Sequence, residues 1–391
     1  MDYNAAALAL HEKYHGKLTV QSLVECKDKD ALSTAYTPGV AEPCRKIVEN
    51  PDNVYRYTCK GRMVAVVTNG TAVLGLGNIG PEAGLPVMEG KCVLFKEFGG
   101  VDAFPICLNA KTKEEVVAAV KAIAPTFGGI NLEDIRSPEC FEIEAQLEKE
   151  LDIPVFHDDQ HGTAIIVLAG LLNALKVVGK KLADVHIVQN GPGAAGTAII
   201  KMLKTAGARH IIAVDEHGIL VPGRPEGLAG HKGWLAELTN EEKRSGSLAD
   251  ALQGADVFIG TSIAGALTPG MIAGMNKDAI VFAMANPTPE IMPDLAKAAG
   301  VRVIGTGRSD FPNQVNNVLA FPGIFKGALS VRARDINDAM KMAAARAIAG
   351  LIPENELNEE NILPKAFDPR IARTVADAVA QAARESGVAR V

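Results

Sequence analysis

The chain has 391 residues, 48% of them hydrophobic and 22% charged, with a formal net charge of −6. This is the profile of an ordinary globular protein of two or three domains, each able to bury its own core. The acidic balance gives no reason to expect nucleic acid or an anionic membrane as partner, and no stretch approaches the roughly 20 apolar residues that span a bilayer.

The opening residues, MDYNAAALALHEKYHGK, place Asp2 before a short apolar run and His11, Glu12 and Lys13 after it. A secretory signal would begin basic and run longer, so an amphipathic first helix is expected. The six cysteines, at positions 26, 44, 59, 92, 107 and 140, form no CxxC pair. Reduced, mostly buried thiols and a cytoplasmic location follow, rather than a disulfide framework or a zinc site. RMVAVVTNGTAVLGLG reads as a hairpin turning at Asn69-Gly70. AFPICL and the stretch around Ile130 read as strands, separated by the helical pattern TKEEVVAAVKAIA. SPECFEIEAQLEKE then opens a helix with Ser137 as N-cap and Pro138 at the first position.

From about residue 153 the texture changes to short apolar runs, IPVF, DVHIVQN, HIIAVD, ADVFIGTS, AIVFAMAN and VRVIGTG, alternating with helical segments. Such alternation indicates a parallel, doubly wound sheet. The expected fold class is therefore α/β: a mixed N-terminal domain over residues 1–155, a Rossmann-type domain over 156–325, and a helical C-terminal segment over 326–391 that packs back on the first domain.

Two segments match GxGxxG, and context separates them. Gly191-Pro-Gly193-Ala194-Ala195-Gly196 follows the strand DVHIVQN and opens a helix, and a second strand ends in Asp215, 24 positions after Gly191. Those are the parts of a βαβ dinucleotide site: glycines admit a pyrophosphate, the helix N-terminus donates N–H groups, and the acid accepts from a ribose hydroxyl. Asp215, with Glu216 beside it and no adjacent arginine, favours NAD over NADP. In Gly75-Leu-Gly77-Asn-Ile-Gly80 the following Pro81, Gly84 and Pro86 break the segment that would be its helix, so it reads as a loop near the site.

Acidic pairs stand after two predicted strands, Glu133-Asp134 and Asp158-Asp159. Adjacent carboxylates are costly unless hydrated, protonated or neutralised, and hard oxygen ligands suit Mg²⁺ or Mn²⁺. The alternative is polar punctuation, with Asp159 capping a helix that begins near Gln160. His157 and His161 are read as structural or hydrogen-bonding residues, not ligands. Tyr36 and Lys91 lie in Gly/Pro-punctuated regions, where loops often carry chemistry.

Together, AYTPGVAEPC, the GLGN…MEGK block, LEDI, FHDDQHGTA, NGPGAAG, FAMANPTPE and QVNNVLAFPGIFKGAL resemble the malic enzymes, in their short bacterial and archaeal form. The resemblance runs from about residue 33 to 330. It implies oxidative decarboxylation of malate to pyruvate with NAD or NADP. In this reading Tyr36 is the general acid for the enol, and Lys91 the base or proton partner of the malate hydroxyl. Asp158 assists proton transfer, and Glu133, Asp134 and Asp159 bind Mn²⁺ or Mg²⁺. Asn286 and Asn317 contact the substrate, Asn286 also lying near the nicotinamide. The metal and the nicotinamide cation are expected to lower the pKa of Lys91. Larger members carry an arginine before the GLG segment that is missing from TAVLGLG, so no cation is assigned to the malate carboxylate. The family also implies a homodimer with active sites near the subunit contact. Two other readings compete: a metal-independent amino-acid dehydrogenase of similar architecture, and a catalytically silent nucleotide-binding module.

Overall fold

The protein is described from a computed structural model over residues 2–391. Two sheets organise it. The first has the order β2-β1-β3-β4, comprising β1 (Met63–Thr68), β2 (Asp102–Cys107), β3 (Gly129–Leu132) and β4 (Val155–His157), all parallel. β1 lies in the middle, and its run MVAVVT is buried almost throughout, as a central parallel strand covered on both faces must be. The second sheet has the order β10-β9-β8-β5-β6-β7. Its strands are β5 (His186–Asn190), β6 (His210–Asp215), β7 (Gly218–Ile219), β8 (Val257–Gly260), β9 (Ile280–Ala283) and β10 (Val303–Thr306). All pairings are parallel except that of the edge strand β7. The doubly wound α/β class is as expected.

Several local expectations are corrected. Residues 62–77 are not a hairpin: β1 pairs with β2 and β3, and after Asn69-Gly70 the chain makes only a single bridge between Val73 and Gly77. The IPVF run closes the first sheet through β4 instead of opening the second. Gly84 and Pro86 do not break the segment after Gly80, because Pro81–Leu94 is a helix with Pro81 in its first turn. Pro86 removes one backbone N–H, and Met88 and Cys92 pack that helix into the core with Val64 and Val66. Lys91 therefore stands on the last turn of a helix and not on a loop. The helix after Ser137 begins at Glu139 with no side-chain cap. The first helix, Tyr3–Tyr14, is capped by Asp2 as its sequence suggests, but its apolar residues are spread around it and none is buried.

The helix Asp158–Val178 ties the halves together. Asp158 and Asp159 occupy its first turn, where carboxylates complement the helix dipole, and Gly179 ends it in a left-handed conformation. Its mean hydropathy reaches 1.7 over an 18-residue window, so by length and composition it could cross a membrane, which corrects the expectation that no such stretch exists. In the fold, 67% of that window is buried inside the protein. Beside it Phe95, Phe156, Phe321 and Phe325 form an aromatic knot with centroid separations of 4.6 to 5.9 Å. Through it the C-terminal helices Phe321–Ser330, Asp338–Ala349 and Ile371–Glu385 join the core shared by both sheets.

Candidate active site

The strand register builds the acidic cluster. β3 and β4 are parallel neighbours with Leu132 opposite His157, so Glu133-Asp134 and Asp158-Asp159 leave the same edge of the sheet side by side. Ligand oxygens of Glu133, Asp134 and Asp159 lie within 4.8 Å of one another. Asp134 holds a left-handed backbone (φ 53°), a conformation that aspartate tolerates better than most residues. Its N–H donates to Asp159 Oδ2 at 2.8 Å. Contrary to the expected helix start near Gln160, Asp158 and Asp159 are themselves helical, which aims them inward along a common turn.

Lys91 faces this cluster. Its Nζ donates to Asp158 Oδ2 at 2.5 Å, lies 2.9 Å from Glu133 Oε1, and sits 4.2 Å from the centre of the Phe321 ring. Asn317 donates to the same Asp158 oxygen at 3.0 Å, and Asn131 donates to Glu133 Oε2 at 2.8 Å. Burial pulls the Lys91 ammonium down, but Asp158 and Glu133 outweigh it and hold its pKa above the ordinary lysine value. This is opposite to the expected lowering, which the protein's own charges do not supply.

Burial pushes Glu133 well above the usual carboxylate range. The same cause, reinforced by Asp159, pushes Asp134 up to about 7. Asp134 Oδ2 is buried with no hydrogen-bond partner among the described residues. An all-carboxylate set with an orphaned, desolvated oxygen fits a hard divalent cation.

Glu144 was not singled out from sequence, where it is one glutamate among several in EIEAQLEKE. Buried behind the cluster, it accepts from the His157 N–H at 2.7 Å, from Gln160 Nε2 at 2.9 Å and from His161 Nε2 at 3.0 Å. Burial opposes its charge, but His161 and Lys341 outweigh that and hold it at about 2. It anchors the turn carrying Asp158 and Asp159. His161 is thus a hydrogen-bonding residue, as read from sequence.

At the second sheet β5 lies between β8 and β6, so chain connections leave it in both directions and a crevice opens at the strand ends. Gly191 (φ 88°) sits there, and a Cβ on it would come within 2.5 Å of the Thr261 carbonyl. Gly193 would carry its Cβ into open space, at the start of the Ala194–Ala206 helix, whose N-terminus has no side-chain cap. That geometry, with Ala194, Ala195 and Gly196 beginning the helix, fits a pyrophosphate. In the other glycine segment the Ile79 and Gly80 N–H groups are taken by the Gly70 carbonyl, at 3.1 Å each.

Asp215 ends β6, but it is not free. Arg224 grips both its oxygens at 2.9 and 2.8 Å, and Lys232 reaches it at 2.9 Å and Glu216 at 3.2 Å. Burial opposes its charge, yet these donors hold its pKa below the usual value.

The structure thus brings together Lys91, Glu133, Asp134, Asp158, Asp159 and Asn317. Asn286 lies on an exposed turn, its side chain beside Gly307 and its carbonyl against Gly75. Tyr36 is not gathered into the cluster: it is 68% exposed, and its hydroxyl has no partner among the described residues. Arg136, two residues past Asp134, turns to Glu139 and not to the cluster.

A parallel-sheet crevice with a glycine cradle on one sheet, and an acidic cluster with a lysine at the edge of the other, are the parts of a dinucleotide-dependent oxidoreductase. Residues 15–148 match the malic enzyme N-terminal domain, and residues 160–384 the malic enzyme NAD binding domain. The chain is 59% identical to the bifunctional malic/malolactic enzyme of Bacillus subtilis (strain 168), covering 100% of this chain and 95% of that one. It is 57% identical to the NAD-dependent malic enzyme of Geobacillus stearothermophilus, covering 96% and 78%. The malic enzyme of Pyrococcus horikoshii Ot3 superposes with a TM-score of 0.93 at 51% identity, over 98% of this chain and 92% of that one. The chain belongs to the malic enzyme family. It is an NAD(P)-dependent oxidoreductase that oxidises and decarboxylates malate, and the amino-acid dehydrogenase and silent-module readings are set aside.

The raised Asp134 pKa has a sign that can be measured. Between its ordinary 3.8 and about 7, the metal-free folded protein keeps a proton that the unfolded chain has released. The stability contributed here therefore falls as pH rises through that window. A divalent cation must displace the proton, so it binds better at higher pH. Mg²⁺ is expected to raise the Tm of chelator-stripped protein more at pH 8 than at pH 6. Equal shifts at both would contradict the assignment.

Proposed function

We propose that malate oxidation and decarboxylation here depend on Mg²⁺ or Mn²⁺ held by Glu133, Asp134 and Asp159. Their convergence within 4.8 Å, with the Lys91 ammonium paired to Glu133, carries this reading. The bound cation supplies electrostatic stabilisation to negative charge developing on the malate oxygens, first in oxidation and then as CO₂ departs. Gly191, Gly193, Ala194, Ala195 and Gly196 would hold the dinucleotide, which would supply the hydride acceptor for malate C2.

The chain's own residues handle the protons. We assign the malate hydroxyl proton to Lys91, whose own Nζ proton passes first to Asp158, the acceptor 2.5 Å away that also orients it. Asn317 is assigned a substrate contact because its amide already faces the Asp158–Lys91 pair. Asn286 is assigned to the substrate and nicotinamide side, since its turn meets both the 75–77 loop and the second sheet. Tyr36 is assigned the proton that enolpyruvate takes at carbon. Residues 1–155, continued through β4 and the helix turn bearing Asp158 and Asp159, then serve metal and substrate, the rest of 156–325 the dinucleotide, and residues 326–391 the packing of both.

For the cofactor we propose NAD as the preferred form, with NADP admitted. Asp215 disfavours a 2′-phosphate, but Arg224 and Lys232 offset both Asp215 and Glu216. We also propose a cytoplasmic homodimer. The cysteines are free, but against the expected majority only Cys92 and Cys140 are buried, while Cys26 and Cys44 are exposed. The unpaired thiols support a reducing compartment, which cell fractionation tests. No residue is buried in the helices Tyr3–Tyr14, Lys29–Ala35 and Ala41–Glu49, and Leu8, Val20, Leu23, Val24 and Val48 are exposed. A second copy covering this apolar surface would place the subunit contact on the segment that carries Tyr36.

Lys91→Ala is expected to lower kcat by more than about tenfold with Mn²⁺ affinity near normal, whereas Asp159→Ala weakens Mn²⁺ binding itself. Near-normal turnover in the first, or an unchanged metal titration in the second, would remove that residue from its role. In steady-state assays kcat/KM should be higher with NAD, with NADP still giving turnover; strict NADP dependence would contradict the cofactor reading. Sedimentation equilibrium should return a dimer, and a fully active monomer would oppose that part.

A further inference from the structure

Resting on the assignment of Asn286 to the nicotinamide side, we propose that Glu290 is a positioning residue for hydride transfer: its buried carboxylate splints two loops at the strand ends of the cofactor crevice. Glu290 follows β9 and is 0% exposed. Its Oε1 accepts from the Ser262 N–H at 2.8 Å and the Ser262 hydroxyl at 3.0 Å, and its Oε2 accepts from the Ala285 N–H at 3.0 Å. The Ser262 hydroxyl in turn accepts from Asn190 Nδ2 at 2.8 Å. One carboxylate therefore links the carboxyl ends of β5, β8 and β9, three adjacent strands at the edge where dinucleotides bind in such sheets.

No lysine or arginine pairs with Glu290 among the described residues. A carboxylate buried without a cation is retained at a cost, and here only the three aimed donors compensate it. A glutamine would not reproduce the arrangement. Its carbonyl oxygen could serve Ser262, but its amide nitrogen would then face the Ala285 N–H, donor against donor. The fit is also tight, because a Cβ on Gly260 would come within 2.5 Å of the Glu290 Cδ and Oε1.

Ala285 immediately precedes Asn286, whose carbonyl lies against Gly75 and whose side chain lies beside Gly307. Glu290 thus sets the Asn286 turn and the Ser262 loop in one register. Hydride transfer moves two electrons and a proton together from malate C2 to the ring carbon that receives them, while the hydroxyl proton leaves to a base. The rate of that step depends steeply on the approach of the two carbons. Among the described residues the Glu290 side chain bonds to Ser262 and Ala285, while the acidic cluster leaves the edge of the other sheet.

The test uses the full-length, Mn²⁺-loaded enzyme with malate and malate deuterated at C2. Glu290→Gln is expected to lower kcat by about tenfold or more, to raise the deuterium isotope effect on kcat, and to leave Mn²⁺ affinity within about twofold. Ser262→Ala removes one of the three donors. It should show the same signature more weakly, with kcat down about threefold, and it carries the test should Glu290→Gln fail to fold. A retained kcat in Glu290→Gln would overturn the proposal. So would a lower kcat with an unchanged isotope effect in either variant, since that marks loss of folded enzyme and not a slower hydride step.

Discussion

Four carboxylates crowd the ends of two neighbouring strands, and among the described residues one ammonium, that of Lys91, meets two of them, Glu133 and Asp158. Strands in a sheet are about 4.8 Å apart, so the pairing of Leu132 with His157 leaves Glu133, Asp134, Asp158 and Asp159 no means of avoiding one another. Repulsion at that range in a partly desolvated site is large enough to keep some of the group protonated until a cation arrives. The surroundings act to hold the cluster in place. Asn131 and Asn317 donate to it, the Asp134 N–H donates across it, and Glu144 pins the turn behind it.

The rest of the molecule places a second edge opposite this one. The helix Asp158–Val178 starts at the acidic cluster and runs into the core shared by the two sheets, so its first turn is fixed by packing far from the chemistry. Phe321, whose ring lies under the Lys91 ammonium, belongs to the aromatic knot that seats the C-terminal helices. Lys91 is thus held from both sides, by charge and by packing. On the second sheet, Gly191 lets the turn pack against Thr261, Gly193 leaves the cradle free of a side chain, and Glu290 ties the neighbouring loops together.

What could be read from the sequence divides by the range of the interactions involved. The cofactor cradle was legible because its parts are contiguous: strand, glycines, helix start, strand and acid occur within one βαβ unit. The acidic pairs were legible as pairs, but their meeting depends on β3 lying beside β4, which no local pattern encodes. Asn69-Gly70 is a sound turn signal, yet a turn does not say whether the next segment pairs back, and here it does not. The neutralisation of Asp215 by Arg224 and Lys232 requires a loop to fold back over the strand end, so the local view of an unopposed acid was incomplete. Pro86 misled because one missing N–H near a helix start costs less than the packing around Met88 and Cys92 returns. Glu144 and Glu290 were hidden among ordinary glutamates, and only burial distinguishes them.

The central claim is that a divalent cation is the partner the three carboxylates lack, and anomalous diffraction from crystals soaked in Mn²⁺ tests it most directly. The account predicts a single strong peak per chain, bonded to oxygens of Glu133, Asp134 and Asp159 and adjacent to the Lys91–Asp158 pair. A cluster that stays empty at saturating Mn²⁺, or a peak bound elsewhere in the chain, would contradict it.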